Sequence, residues 1–121
     1  MPKILLVDDH ADIRRLLRIT LGKNYEVQEA DNGEAGLALA RELRPDVVVL
    51  DVMMPGVLNG LQVLDAIKED PNLIHARVII VTARGQVQDY EDGMARGADA
   101  YFIKPFSPLQ VVACIKDLLK K

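Results

Sequence analysis

Residues 47–56 read Val-Val-Val-Leu-Asp-Val-Met-Met-Pro-Gly. The first four are aliphatic with no polar alternation, as in a strand covered on both faces. Working outward, runs of the same kind return at Ile4–Val7 and Val78–Val81. The three runs stop at Asp51, Asp8 and Thr82. Tyr25–Ala30 alternates and is more polar, as an edge strand does. Ala100–Ile103 reads as a fifth strand, stopped by Lys104-Pro105 because proline has no amide to donate to a ladder.

Between these runs the period becomes helical. Ile13, Leu16, Leu17, Thr20 and Leu21 form one stripe, closed by Gly22 as a C-cap. Gly36, Leu39, Ala40 and Leu43 repeat it before Arg44-Pro45, and Leu61, Leu64 and Ile67 before Asp70-Pro71. Val111, Val112, Ile115, Leu118 and Leu119 make the last helix, entered through Ser107 as N-cap and Pro108 at the first position. Gln86–Arg96 is the weakest helix, with only Val87, Tyr90 and Met94 on its apolar side. Gly93 inside it costs about 1 kcal/mol relative to Ala. Strand–helix alternation of this kind predicts an α/β fold. It is a doubly wound, five-stranded parallel sheet of order 2-1-3-4-5, a flavodoxin-like three-layer sandwich with its crevice at the carboxyl ends of strands 1 and 3.

The 121 residues suit a single domain over 1–121, with roughly two thirds of the unfolded surface buried on folding. Half the residues are hydrophobic, yet there are three Tyr, two Phe and no Trp, so the core is aliphatic. Fifteen Lys and Arg against eighteen Asp and Glu, a net charge of −3, argue against a grip on nucleic-acid backbones or anionic membranes. The single cysteine, Cys114, reads as a small packing residue and cannot form an internal disulfide. No stretch approaches the roughly 18 apolar residues of a membrane span, and the first apolar run is too short for a signal peptide. These features predict a cytoplasmic domain.

Residues just past the strands share one edge: Asp8 and Asp9, Asp51, Thr82 and Lys104. Singly each has a plain reading. Asp9 can cap the first helix, Asp51 can start a turn, Thr82 suits a strand end and Lys104 suits solvent. Together they collect the acids beside a lysine. Carboxylates held close raise one another's pKa unless a cation intervenes, and hard oxygen donors suit Mg²⁺. A carboxylate can also be a nucleophile that forms an aspartyl phosphate, helped by charge neutralisation.

These residues resemble the receiver domain of two-component response regulators, such as chemotaxis regulators. The likeness rests on Leu-Val-Asp-Asp at 6–9, Leu-Asp-Val-Met-Met-Pro-Gly at 50–56, Val-Thr-Ala at 81–83, Gly-Ala-Asp at 97–99 and Lys-Pro-Phe at 104–106. It implies Asp51 as phosphoacceptor. It also implies a Mg²⁺ site of Asp9 directly, Asp8 through water, Asp51, and the backbone carbonyl of Met53. Lys104 would pair with a phosphoryl oxygen, Thr82 would close onto another, and Tyr101 would turn inward as the aromatic switch. The Lys104–Pro105 peptide would be cis. The implied function is a switch in a phosphorelay, not a turnover enzyme beyond its own phosphoryl transfer and autodephosphorylation. A histidine kinase or histidine phosphotransfer protein would donate, and a downstream protein or an output domain absent from this chain would respond. The weakly supported helix at 86–96 would be the mobile element.

The likeness also has departures. Val57, Leu58 and Asn59 separate Gly56 from Gly60 where the family usually has two residues, which predicts a reshaped loop. Met53 and Arg84 take variable positions beside the acyl phosphate, and Ala100 replaces an acid used in some family dimers. A haloacid-dehalogenase-type phosphatase or phosphotransferase is an alternative, but it wants Asp-x-Asp after strand 1 and this chain has His10 there. A flavin or nucleotide binder wants a phosphate loop where Asp8 and Asp9 stand. His10 reads as a solvent-facing first-turn residue, with contact to the metal the alternative because it adjoins the acid pair; His75 reads as surface. Arg14, Arg15 and Arg18 read as a solvated face, with kinase docking the alternative.

Overall fold

The computed structural model describes residues 1–120. Along the chain lie β1 (Lys3–Val7), α1 (Ala11–Leu21), β2 (Glu26–Ala30), α2 (Gly33–Leu43), β3 (Val47–Leu50), α3 (Gly60–Glu69), β4 (Arg77–Thr82), α4 (Val87–Ala95), β5 (Ala100–Ile103) and α5 (Pro108–Leu119). The strands form one parallel sheet of order 2-1-3-4-5, as the alternation predicts.

The unbroken apolar runs are explained by two core clusters, one on each face. Leu5, Val7, Val48, Leu50, Val78 and Ile80 pack toward Leu37 and Ala40 of α2 and Val63, Leu64 and Ile67 of α3. Their neighbours Ile4, Leu6, Val47, Val49, Ile79 and Val81 pack toward Leu17 and Leu21 of α1 and Val111, Val112, Ile115 and Leu118 of α5. Side chains alternate between faces along a strand, so a strand buried twice must be apolar at every position. Each such side chain contributes on the order of 2 kcal/mol by leaving water. β2 lies at the edge, and its exposed positions are the polar ones.

Ser107 caps α5 with Pro108 behind it, and Gly22 follows α1 with its amide donating to the Arg18 carbonyl. The plain reading of Asp9 as a helix cap falls away, because the residue preceding α1 as its N-cap is His10, which caps through no side-chain bond. One expectation fails. Leu16, placed on the buried stripe by period, is 45% exposed, because α1 turns only Leu17 and Leu21 fully inward.

α4 is better seated than its sparse stripe suggests. Gly93 is buried, and a Cβ there would lie 2.8 Å from Ile80 Cδ1 and 3.4 Å from the Tyr101 ring. The glycine that weakens the isolated helix lets this one approach the sheet. Gln86 and Asp89 add a capping box at its start.

Candidate functional site

In register, Val7 pairs with Leu50, and the Asp51 amide donates to the Val7 carbonyl at 2.9 Å. Parallel pairing therefore sets Asp8 and Asp51 side by side at the carboxyl edge. Both are buried, Asp51 to 2% exposure. Lys104, just past β5, reaches over with Nζ 3.0 Å from Asp8 Oδ2 and 3.0 Å from Asp51 Oδ2. The Lys104–Pro105 bond is cis, as expected.

The electrostatics follow from this packing. Burial raises the pKa of Asp51 above the ordinary carboxylate value and the Asp8 charge adds to it. The Met53 amide, 3.0 Å from Oδ1, and Lys104 oppose the rise. Burial works against the charge on Lys104, but hydrogen bonds to Asp51 and Asp8 outweigh it and raise its pKa. Each carboxylate oxygen of Asp51 thus has a donor, and the group is fixed in direction.

Asp8, Asp9, His10 and Asp51 offer ligand atoms that all lie within 4.8 Å of one another. Asp9 Oδ1 is buried and accepts no hydrogen bond, although His10 Nδ1 stands 3.1 Å away. Three carboxylates with one unsatisfied oxygen are a donor set for a small hard divalent cation. The residues fit Mg²⁺.

Thr82 and Tyr101 are joined elsewhere. Thr82 is fully buried at the end of β4, and its Oγ1 accepts from the Arg84 amide at 3.3 Å. The Tyr101 hydroxyl donates to the Arg84 carbonyl at 2.7 Å, and its ring meets Tyr90 of α4 edge-on at 5.6 Å. One peptide residue, Arg84, ties both side chains to the β4–α4 loop. Burial and the nearby Asp89 charge raise the Tyr101 pKa. Met53 and Arg84, with Val52, Met54, Asn59 and Leu61, line a cleft of about 360 Å³ beside Asp51.

The longer loop at 56–60 is braced from α2: Glu34 Oε1 accepts from the Leu58 amide at 2.5 Å. Asn59 then caps α3 through a capping box with Gln62. At Gly60 the backbone passes so close to the Asp51 carbonyl and Val52 that a Cβ has no room.

The arginines differ from the reading of α1 as a solvated face. Arg14 Nε pairs with Glu29 at 2.9 Å, and its Nη1 donates to the Asp8 carbonyl at 2.6 Å. Arg18 pairs with Glu29 at 2.6 Å. Only Arg15 is left on the exposed side without such a tie to β2. His10 combines both readings: its ring stays largely exposed, yet its Nδ1 points into the acidic pocket, 2.9 Å from Asp8 Oδ1. Its place next to the acid pair offered this contact, but a residue at a helix start can face either way. His75 is exposed, as read. Asp99 of Gly-Ala-Asp takes the Val78 amide at 2.8 Å and so fastens the start of β4.

The curated relatives of this chain are regulators. It is 42% identical over 120 residues to the transcriptional regulatory protein ResD of Bacillus subtilis, covering 98% of this chain and 48% of that protein. It spans about half the length of the curated relatives it matches. Among solved structures, chemotaxis protein CheY4 of Vibrio cholerae superposes with a TM-score of 0.88 at 31% identity, covering 98% of each chain. The BeF3-activated receiver domain of DrrB, a Thermotoga maritima protein, gives 0.90 at 33% identity, covering 100% of this chain and 99% of that one. The model of the response regulator receiver domain matches residues 4–116. With the parallel 2-1-3-4-5 sheet and the acids at its carboxyl edge, the chain belongs to the receiver domains of two-component response regulators.

Proposed function

We propose that this domain is a phosphorylation-activated switch whose phosphoacceptor is Asp51. The observation that carries the reading is the buried Asp51 carboxylate, held between the Met53 amide and the Lys104 ammonium beside two further acids. A histidine kinase or a histidine phosphotransfer protein donates. An Asp51 oxygen forms a bond to phosphorus as the bond from phosphorus to the partner's imidazole nitrogen breaks. The buried Asp51 carboxylate, held in direction by the Met53 amide and Lys104, is the nucleophile.

Asp8, Asp9, Asp51 and the carbonyl of Met53 would hold Mg²⁺. When bound, the cation supplies positive charge against the carboxylates and the phosphoryl oxygens. Lys104 stays near Asp51 and neutralises an oxygen of the new phosphoryl group. Thr82 turns its hydroxyl to another, giving up the Arg84 amide. Because the Arg84 carbonyl holds the Tyr101 hydroxyl, that turn loosens Tyr101, which moves inward and frees α4 to change its packing. Hydrolysis of its own acyl phosphate is the domain's only turnover.

The signal passes to a downstream protein or to an output domain of a longer chain; ResD and RpaA, among the relatives, are named as transcriptional regulators. The setting we propose is the cytoplasm. No helix among the described residues is long and apolar enough to cross a membrane.

Incubation with radiolabelled acetyl phosphate and Mg²⁺ tests the assignment. The wild-type chain takes up label and Asp51→Asn takes up none. Labelling of Asp51→Asn at the wild-type rate would overturn it.

A further inference from the structure

We infer that His10 is a direct ligand of the divalent cation, and that its imidazole shifts the site's preference from Mg²⁺ toward Mn²⁺ and the other first-row cations. The inference rests on the cation site proposed above and adds a ligand to it.

The ring is not engaged in helix capping: His10 is the N-cap of α1, yet it makes no side-chain cap bond. Its Nδ1 lies 2.9 Å from Asp8 Oδ1 and 3.1 Å from Asp9 Oδ1. An octahedral ion with bonds of about 2.1 Å separates neighbouring ligand atoms by about 3.0 Å. The imidazole nitrogen therefore stands at the spacing of an adjacent corner to both acids, and its present hydrogen-bond contacts, to Asp8 Oδ1 at 2.9 Å and to Lys104 Nζ at 3.3 Å, are given up when the ion binds. Asp51 Oδ2, at 3.9 Å from the same nitrogen, completes the cluster. The His10 amide donates to Asp8 Oδ1 at 2.9 Å, which holds that carboxylate in place. The side chain is 55% exposed, so a hydrated cation can approach from solvent past the ring.

The chemistry of the donor set then separates cations. Mg²⁺ prefers oxygen and keeps its waters, whereas imidazole suits the first-row transition metals. Three carboxylates alone would leave the site a Mg²⁺ site. Adding one neutral nitrogen lowers the cost of exchanging water for protein on a softer ion, while the same nitrogen gains little on Mg²⁺.

Mn²⁺ is the probe, because its paramagnetism reports nitrogen ligands directly. Pulsed electron paramagnetic resonance on the Mn²⁺-loaded chain is expected to show ¹⁴N coupling that disappears in His10→Ala. Calorimetric titrations with Mn²⁺ and with Mg²⁺ are expected to show the preference for Mn²⁺ falling by at least about tenfold in that variant. His10→Gln, which keeps bulk and hydrogen bonding, is expected to behave as His10→Ala. The inference is overturned if wild type binds both cations without nitrogen coupling, or if His10→Ala binds Mn²⁺ as tightly as wild type or more tightly. In those cases the acidic site itself stands. If wild type binds neither cation, both the inference and the cation reading of the pocket fall.

Discussion

Lys104 Nζ stands 3.0 Å from Asp8 Oδ2 and 3.0 Å from Asp51 Oδ2, so one ammonium bridges acids that come from two strands. Among the described residues it is the lysine or arginine paired with the buried carboxylates, and it does not neutralise all of them. Asp9 keeps an oxygen with no hydrogen bond. Acids gathered this closely favour a further cation, which is the basis of the divalent-ion site proposed above.

Removing an acid is expected to stabilise the fold while abolishing its response to metal. Asp9→Asn should raise stability in chelator by about 1 kcal/mol, within the range of relieved functional-site strain. Mg²⁺ at a hundredfold excess over its Kd should add about 2.7 kcal/mol to wild type and much less to this variant. Urea midpoints with and without Mg²⁺ check both; a variant less stable than wild type in chelator would contradict the charge argument.

α4 is expected to report the state of Asp51. Beryllofluoride, a phosphoryl mimic, should alter amide exchange across Val87–Ala95 more than across α2, because Arg84 links Thr82 to Tyr101, whose ring packs on Tyr90 of α4. Tyr101→Phe removes the bond to the Arg84 carbonyl and should speed exchange in α4 even without the mimic. Equal protection of α4 in both states would remove it as the moving element.

Gly93 sets helix propensity against packing. Gly93→Ala would gain about 1 kcal/mol of propensity. Its Cβ 2.8 Å from Ile80 Cδ1 should cost more, up to about 3 kcal/mol of overpacking, so the variant is expected to be net destabilised. Ile80→Val removes the opposing methyl, and the double variant should recover at least about 0.5 kcal/mol beyond additivity. Strict additivity in a denaturation cycle would show that the two residues do not meet.

Glu29 carries a pH signature. Burial opposes its charge, yet its bonds to Arg18 and Arg14 hold its pKa below the ordinary 4.5. A carboxyl depressed in the folded state contributes stability above its unfolded pKa, and that contribution is lost as pH falls through the folded value. Glu29→Gln should therefore lose stability at neutral pH and show a shallower fall below about pH 4.5 than wild type. Parallel pH profiles for the two proteins would show that the arginine clamp carries no such linkage.

How much of this was legible beforehand depends on the kind of question. Continuous apolar runs reveal strands buried on both faces, and stripes of period 3.6 reveal the helices that cover them. Those two patterns, with right-handed crossovers, leave few ways to order five strands. The pocket acids could be named for the same reason: a residue that ends a parallel strand has its place set by the strand. What periodicity reports is burial along one dimension. Which atoms then meet depends on approaches between segments distant in the chain. Gly93 read as a weakness until the sheet was brought against α4. Asp99 read as a motif letter until the Val78 amide met it. Arg14 read as solvated until β2 supplied Glu29 and the residue after β1 supplied the Asp8 carbonyl. His10 shows the limit most sharply, because a helix N-cap has no preferred face. The residues themselves determined a doubly wound sheet with acids and a lysine at its carboxyl edge. Only the folded chain turned the His10 nitrogen onto those acids, because side-chain direction at a helix start is decided by the charges packed around it.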